Sequence, residues 1–414
     1  MKDYLTQLKS AKEASAKLRT ASSKQKNLFL TKLAELLLAN QEEILAVNAK
    51  DVNMAVGAGI TKAMLSRLTL TDKIIASMAD GLNSLAKQSD PVGKIEKMWR
   101  AANGLKVGKM RVPIGVIAFV FESRPNVIID AAGICVKSGN ALIARGGKEA
   151  VESNGCLVEF IQRALFEAGL PKEAAQYLED RSYETFGKLL EETKYLDLVV
   201  PRGRESLIKS VKAKSRVPVI AHERGLCHIF VDAGANLEMA RKIIVNAKIS
   251  NPSTCNSVET ILVHEDIADK LMPALITDLL SSGVEIRGDE RVCGYNSACR
   301  PAAIEDWDTE YLDLILSIKT VKSFTEAVAH IEKHGSGLSD AIITENYSHS
   351  QIFLESVNSA AVLVNASNRL VDGGIFGLGA ELGISTASIH MKGPMGLEDL
   401  TVTKFIVLGQ GELR

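Results

Sequence analysis

"NALIARGGKEAVESNGCLVEFIQRALFEAG", Asn140–Gly169, contains a short apolar run, a Gly-Gly-Lys turn, and a long stretch with apolar residues at three-and-four spacing. These read as strand, turn and helix. The unit recurs. "LDLVVPRGRESLIKSVKAK" (196–214) is strand, turn and helix again. "CHIFVD" (227–232) leads to the helix "LEMARKIIVNAKI" (237–249), and "VETILVH" (258–264) to the helix "EDIADKLMPALITDLLSSG" (265–283). "VPVIAH", "YLDLILSIKTV", "DAIITE" and "AAVLVNA" read as further strands, with "FTEAVAHIEKHG" as a helix among them. This alternation predicts an α/β fold with mainly parallel sheet and helices on both faces.

Working outward, the chain up to about Lys94 reads as helix after helix. "GLKVGKMRVPIGVIAFVF" (104–121) then carries two β-rich runs around Pro113: an edge ribbon, Leu105–Val112, and a buried strand, Gly115–Phe121. "VDGGIFGLGAELGISTASIHMKGPMG" (371–396) is glycine-rich and reads as a long functional loop. The closing "LTVTKFIVLG" (400–409) reads as a strand with no local partner, able to add to a neighbour's sheet.

A chain of 414 residues suggests two or three domains, and 46% hydrophobic with 24% charged residues is an ordinary soluble composition. A net charge of -1 gives no bulk attraction to nucleic acid or anionic membrane. The longest uncharged apolar run, near Val112–Phe121, is too short to span a bilayer. The opening residues lack the pattern of a signal peptide. The six cysteines form no CxxC pair and read as reduced thiols of a cytoplasmic protein. His330 and His334 read as a solvated helix face, and no metal is expected.

Two turns are candidate phosphate contacts: Gly146 and Gly147 flanked by Arg145 and Lys148, and Pro201–Arg204. Glycine admits close backbone approach, and the helix that follows offers unpaired N–H groups. Neither is GxGxxG, and each also suits a plain turn. In "SNPSTCNSVETILVH" (250–264), Cys255 lies among Ser253, Thr254, Asn256 and Ser257. Such donors suit a nucleophilic thiolate or an oxyanion, although a free cysteine is equally a small packing residue.

In order along nearly the whole chain, "VPIGVIAFVFESRPNV", "GNALIARGGKEAVESN", "VVPRGRESLI", "GLCHIFVDAGANLEMA", "NAKISNPSTCNSVETILVH", "SAAVLVNASNRLVDGG" and "FGLGAELGISTASIHMKGPMGLEDLTV" resemble the aldehyde dehydrogenase superfamily. Within it they resemble the glutamate-5-semialdehyde dehydrogenases, or γ-glutamyl phosphate reductases. The resemblance implies two doubly wound αβα domains plus a small β oligomerisation element. Residues 1–103 and 114–228 would bind nucleotide, 229–390 would carry the catalytic cysteine, and 104–113 with 391–414 would make a homo-oligomer. The implied activity is NADPH-dependent reduction of L-glutamyl 5-phosphate to L-glutamate 5-semialdehyde and phosphate, the second step of proline biosynthesis from glutamate. A transient contact with glutamate 5-kinase, the source of the acyl phosphate, goes with it.

Carried over by position, Cys255 is the nucleophile, forming a thioester. Ser123 stands where the superfamily has an asparagine oxyanion donor. His222, beside Glu223, stands where hydrolytic members keep a glutamate base. Arg145, Gly146, Gly147, Lys148, Pro201, Arg202 and Gly203 face the nucleotide. The cations Arg145 and Lys148, in place of a ribose-binding carboxylate, favour NADP. Glu310 matches a nicotinamide-ribose position, while Asn365 and Gly377 match loop positions. Arg124 and Glu122 would hold the substrate's α-carboxylate and α-amino groups, or form a surface pair with each other. Asn126 and Asn256 would add contacts, and the loop Gly373–Met395 would complete the pocket. Competing readings are an aldehyde dehydrogenase making free acid or acyl-CoA, and a cysteine hydrolase pairing Cys255 with His222 or His228.

Overall fold

The computed structural model describes residues 3–378 and 381–413. The chain divides into two compact units: Met1–Ala221 with Gly377–Gly383 and Met395–Arg414, and His222–Phe376 with Ile384–Pro394.

The first unit opens with five helices: α1 (Tyr4–Leu18), α2 (Ser23–Ala39), α3 (Gln41–Gly57), α4 (Lys62–Leu68) and α5 (Asp72–Lys87). Their starts are specified locally. Ser22 and Gln25 form a reciprocal capping box on α2, and the Thr71 side chain accepts from Ile74 N on α5. Strand β1 (Ile95–Arg100) follows and pairs antiparallel with β2 (Lys106–Pro113). The sequence reading missed β1, because "IEKMWR" is charged and almost wholly exposed.

A four-stranded parallel sheet follows: β3 (Val116–Phe121), β4 (Ala141–Arg145), β5 (Ala175–Tyr177) and β6 (Leu198–Arg202), in spatial order β5-β4-β3-β6. Its helices are α6 (Val127–Lys137), α7 (Val151–Glu167), α8 (Tyr183–Glu191) and α9 (Glu205–Lys214). All six residues of β3 are buried, as expected of a parallel strand covered on both faces. Strand order reverses between β3 and β6. The carboxyl ends of these two strands are therefore the topological switch point where open α/β sheets bind ligands. "VPVIAH" does not form a strand: it contributes one bridge, Val199 to Val219.

The second unit is a seven-stranded parallel sheet. Its strands are β7 (Cys227–Val231), β8 (Val258–His264), β9 (Glu285–Gly288), β10 (Arg300–Pro301), β11 (Ile315–Val321), β12 (Ser339–Ile343) and β13 (Ala361–Val364), in order β10-β9-β11-β8-β7-β12-β13. Helices α10 (Leu237–Ile249), α11 (Glu265–Ser281), α12 (Glu290–Tyr295), α13 (Phe324–His334) and α14 (Tyr347–Ser356) connect them. Ile229, Val231, Ile261, Val263, Leu271 and Leu275 are among the buried side chains between sheet and helices. The segment expected as one long loop contains a two-residue pairing, β14 (Ile384–Ser385) with β15 (Gly393–Pro394). Two of its residues, 379 and 380, lie outside the described residues.

The last strand, β16 (Thr401–Leu408), pairs antiparallel along the whole of β2. This corrects two expectations. The C-terminal strand has a partner in its own chain, and β2 is the middle strand of the ribbon, not its edge. No described helix is long and apolar enough to cross a membrane.

Candidate active site

The loop from Ser250 to Ser257 joins α10 to β8 and presents Cys255, half-buried, at the amino end of the parallel sheet. A buried ion pair closes the base of this loop. Lys248, in the last turn of α10, meets Glu259 of β8 at 2.7 Å and also donates to Val258 O at 3.1 Å. The other Glu259 oxygen accepts from Leu312 N at 3.3 Å. Burial pulls the Lys248 ammonium below its ordinary range and pushes the Glu259 carboxyl up to about 7. The pair's shared proximity opposes both shifts. The upper part of the loop is tied by Arg369, whose guanidinium donates to Ser250 Oγ at 3.2 Å, to Thr254 Oγ1 at 2.8 Å, and to Asn256 Oδ1.

Asn256 is thereby tied to chain beyond the loop. Its Nδ2 donates to Val371 O at 2.9 Å and its oxygen serves Arg369. This side chain helps to hold the loop in shape, a role beside the substrate contact expected from sequence. Gly225 lies against the cysteine: a Cβ there would stand 2.0 Å from the Cys255 oxygen. Only glycine admits that approach. The Gly225 N–H donates to Glu310 Oε1 at 2.9 Å, so the Glu310 carboxylate and the Cys255 backbone are both fixed to one residue.

His222 is half-buried, with Nδ1 2.9 Å from Ile384 O. A carbonyl only accepts, so Nδ1 carries the proton and Nε2 keeps its lone pair in the neutral ring. His228 is not a partner for Cys255. It is fully buried, with Nδ1 3.0 Å from Asp340. His330 is also buried, against Trp307 and His228, and not on a solvated face. Asn365 sits at the carboxyl end of β13, opposite to the sheet end that carries Cys255, and its amide bridges to both backbone groups of Thr344.

In the first unit, the expected nucleotide residues gather at the carboxyl ends of β3, β4 and β6. Lys148 is exposed; it begins a short 3₁₀ turn, Lys148–Ala150, ahead of α7 rather than the helix itself. Arg145 is packed inward, its guanidinium 4.3 Å from the Phe186 ring centroid and 3.2 Å from Arg181 O. Burial, then the charge of Arg181, lowers its affinity for a proton. A Cβ on Gly146 would meet Asn154 Nδ2 at 2.3 Å, and one on Gly203 would meet Glu122 Oε2 at 2.6 Å, so neighbouring side chains already require both glycines. Helix α9 starts after Gly203 with no side-chain cap.

Glu122 accepts from Arg204 N at 2.8 Å and pairs with its guanidinium at 3.1 Å. Its carboxylate is therefore engaged by Arg204 and not held open for a substrate amine. Ser123 is buried in a left-handed conformation, φ 37°, which is uncommon for a non-glycine residue. Glu149 Oε1 accepts from its N–H at 3.0 Å and from its hydroxyl. That hydroxyl is occupied, which weakens Ser123 as an oxyanion donor. Arg124 is half-buried, and Asn126 lies just before the first residue of α6. One turn on, burial pushes the Asp130 carboxyl up to about 6 against the pull of Arg202. Glu149, Gly225 and Arg369 were not singled out from sequence. Arg369 lay inside a quoted motif, but nothing local shows that it reaches back to residue 250.

A half-buried cysteine on a clamped loop in one unit, and a helix start at the topological switch point of the other, are the features of a two-unit α/β chain with two candidate sites. Residues 1–291 match the family model described as "Aldehyde dehydrogenase family". The chain belongs to that family and is an oxidoreductase. Among its relatives, a γ-glutamyl phosphate reductase of Caldanaerobacter subterraneus subsp. tengcongensis is 49% identical over 98% of both chains. The crystal structure of γ-glutamyl phosphate reductase from Thermotoga maritima superposes with a TM-score of 0.97 at 42% identity, covering 99% of each chain. A probable aldehyde dehydrogenase from Listeria monocytogenes shares the fold, with a TM-score of 0.72 at 19% identity over 99% of this chain and 97% of its own.

Proposed function

We propose that the chain is an NADPH-dependent acyl phosphate reductase that converts L-glutamyl 5-phosphate to L-glutamate 5-semialdehyde and phosphate, in the cytoplasm. The observation that carries this is the presentation of Cys255 on a loop clamped at base and top, in a chain whose full-length relatives bear that name.

The Cys255 thiolate attacks the acyl carbon, and phosphate leaves with the bonding pair, giving a thioester. The oxyanion formed in each half of the reaction is met by the Cys255 backbone N–H. Donors of this kind are typically worth about 3–4 kcal/mol each. NADPH, when bound, supplies the hydride. The thiohemiacetal oxyanion then re-forms its carbonyl, aldehyde departs, and Cys255 regains its thiolate. Covalent capture splits one hard reduction into two easier steps.

The carboxyl edge of the first sheet fits a phosphorylated dinucleotide. The start of α9 has no cap from its own N-cap side chain and gives its Arg204 N–H to Glu122, and Lys148, Gly203 and Arg204 are exposed on that edge. Lys148 would meet the 2′-phosphate. His222 stands where hydrolytic relatives keep a water-activating glutamate, and the loss of that carboxylate at this position would spare the thioester from hydrolysis. With Glu122 tied to Arg204, the residues that read the substrate's α-amino and α-carboxylate groups are left to Arg124, Asn126 and neighbours. The ribbon β1-β2-β16, with Phe405, Val407 and Leu408 exposed on its outermost strand, would join copies of this chain. The acyl phosphate is labile, so a transient contact with the kinase that makes it completes the picture.

Cys255→Ser tests the nucleophile. It should abolish turnover while NADPH binding, followed by nucleotide fluorescence, stays within about twofold. Appreciable turnover in that variant would rule out covalent catalysis by Cys255.

A further inference from the structure

The carbonyl of Cys255 is gripped from two sides. Gly225 presses its backbone on it, and Cys227, the first residue of β7, donates its thiol hydrogen to the same oxygen across 3.3 Å. Cys227 is itself held. Ser339 Oγ donates to its sulfur at 3.1 Å, and Asn368 Nδ2 donates to Ser339 Oγ at 3.1 Å and to Ser339 O at 2.9 Å. The register of β7 on β12, Asp340 opposite His228, sets Ser339 beside Cys227. Asn368, Ser339 and Cys227 are all completely buried. Burial first, and the nearby Asp340 charge second, push the Cys227 thiol well above its ordinary range, so it keeps the hydrogen it donates.

We propose that Cys227 is a positioning residue for the reaction, the last donor in a buried chain running Asn368–Ser339–Cys227 to the Cys255 carbonyl. A peptide unit is planar, so fixing that carbonyl fixes ψ of Cys255 and the direction of the Asn256 N–H. With ψ fixed, the Cβ that carries the sulfur and the amide nitrogen of Cys255 each keep one direction relative to the anchored carbonyl, which steadies one residue both to attack and to receive the oxyanion. Misplacement by about 1 Å can cost on the order of 10²-fold in rate. This inference rests on Cys255 being the nucleophile.

Cys227→Ser, Cys227→Ala and Cys227→Val separate a donor from a space-filler. Serine keeps a hydrogen to give, so its kcat should stay within about threefold of wild type. Alanine and valine should lose about tenfold or more, with KM moved less than about twofold. Iodoacetamide alkylation of Cys255, located by peptide mass without substrate or nucleotide, should follow the same order. A thiol that only fills apolar space gives the reverse ranking, valine or alanine best and serine worst. That ranking, or equal rates in all variants, would overturn the proposal. Should valine not fold, the serine–alanine pair carries the comparison. A wild-type enzyme alkylated at Cys255 yet inactive on glutamate 5-semialdehyde would instead sink the substrate assignment, and the alkylation order would still decide the role of Cys227.

Discussion

Two cations at the end of β4 were read as equals from sequence, and their environments differ. Lys148 is exposed, whereas Arg145 is half-buried with its guanidinium on the Phe186 ring. Lys148 is therefore the side chain free to meet a 2′-phosphate, and Arg145 supports the turn from beneath. A charge-assisted contact is worth roughly 1.5–3 kcal/mol, or about one to two orders of magnitude in binding. Lys148→Glu should lower kcat/KM for NADP by at least that factor while changing NAD little, because it removes an attraction and adds a repulsion. Equal losses for both nucleotides, measured side by side, would show that Lys148 serves the shared part of the cofactor or the fold. The residue types at 145 and 148 were legible. Which of them faces out was not, because Phe186 and Arg181 arrive from about 40 residues further along the chain.

Among elements, helices and buried strands were legible where apolar spacing is strong: α9, α10 and β8 fall on the quoted runs. β1 escaped because nearly every residue in it is exposed, and "VPVIAH" misled because its alternation is met by only one bridge. Helix α13 was misread on one face. His330 is buried at 6% exposure against Trp307 and His228, and its Nδ1 lies 3.5 Å from the Lys319 ammonium. Burial first, then the neighbouring His228, the Lys319 ammonium and His334, drives its affinity for a proton down to about 2 from an ordinary 6.5. The unfolded chain takes up a proton below about pH 6.5 that the folded chain refuses. The stabilisation is thus whole above pH 6.5 and is lost as pH falls from 6.5 toward 2, by at most about 1.4 kcal/mol per pH unit. Urea unfolding at pH 7.5 and 5.5 should show wild type losing about 1 kcal/mol more than His330→Phe. Equal losses would mean that His330 is protonated in the folded protein.

For the molecule as a whole, the alternation of elements announced mainly parallel sheet and the resemblance two doubly wound domains, but the contacts that shape the candidate site join residues about 30 to 120 positions apart. Gly225 on Cys255, Ser339 on Cys227 and Arg369 on Ser250 are of this kind, and no local spacing encodes them. They all bear on one loop, and on them depends the claim that Cys255 passes an acyl group to phosphate and not to water. The most direct measurement is oxidation of L-glutamate 5-semialdehyde by NADP, followed at 340 nm with and without inorganic phosphate, with arsenate as a second acceptor. The rate should be near background in phosphate-free buffer and be restored by phosphate or arsenate. Oxidation at full rate without either acceptor would show that water takes the acyl group, with His222 or Glu223 as an effective base, and would contradict a phosphate-coupled enzyme.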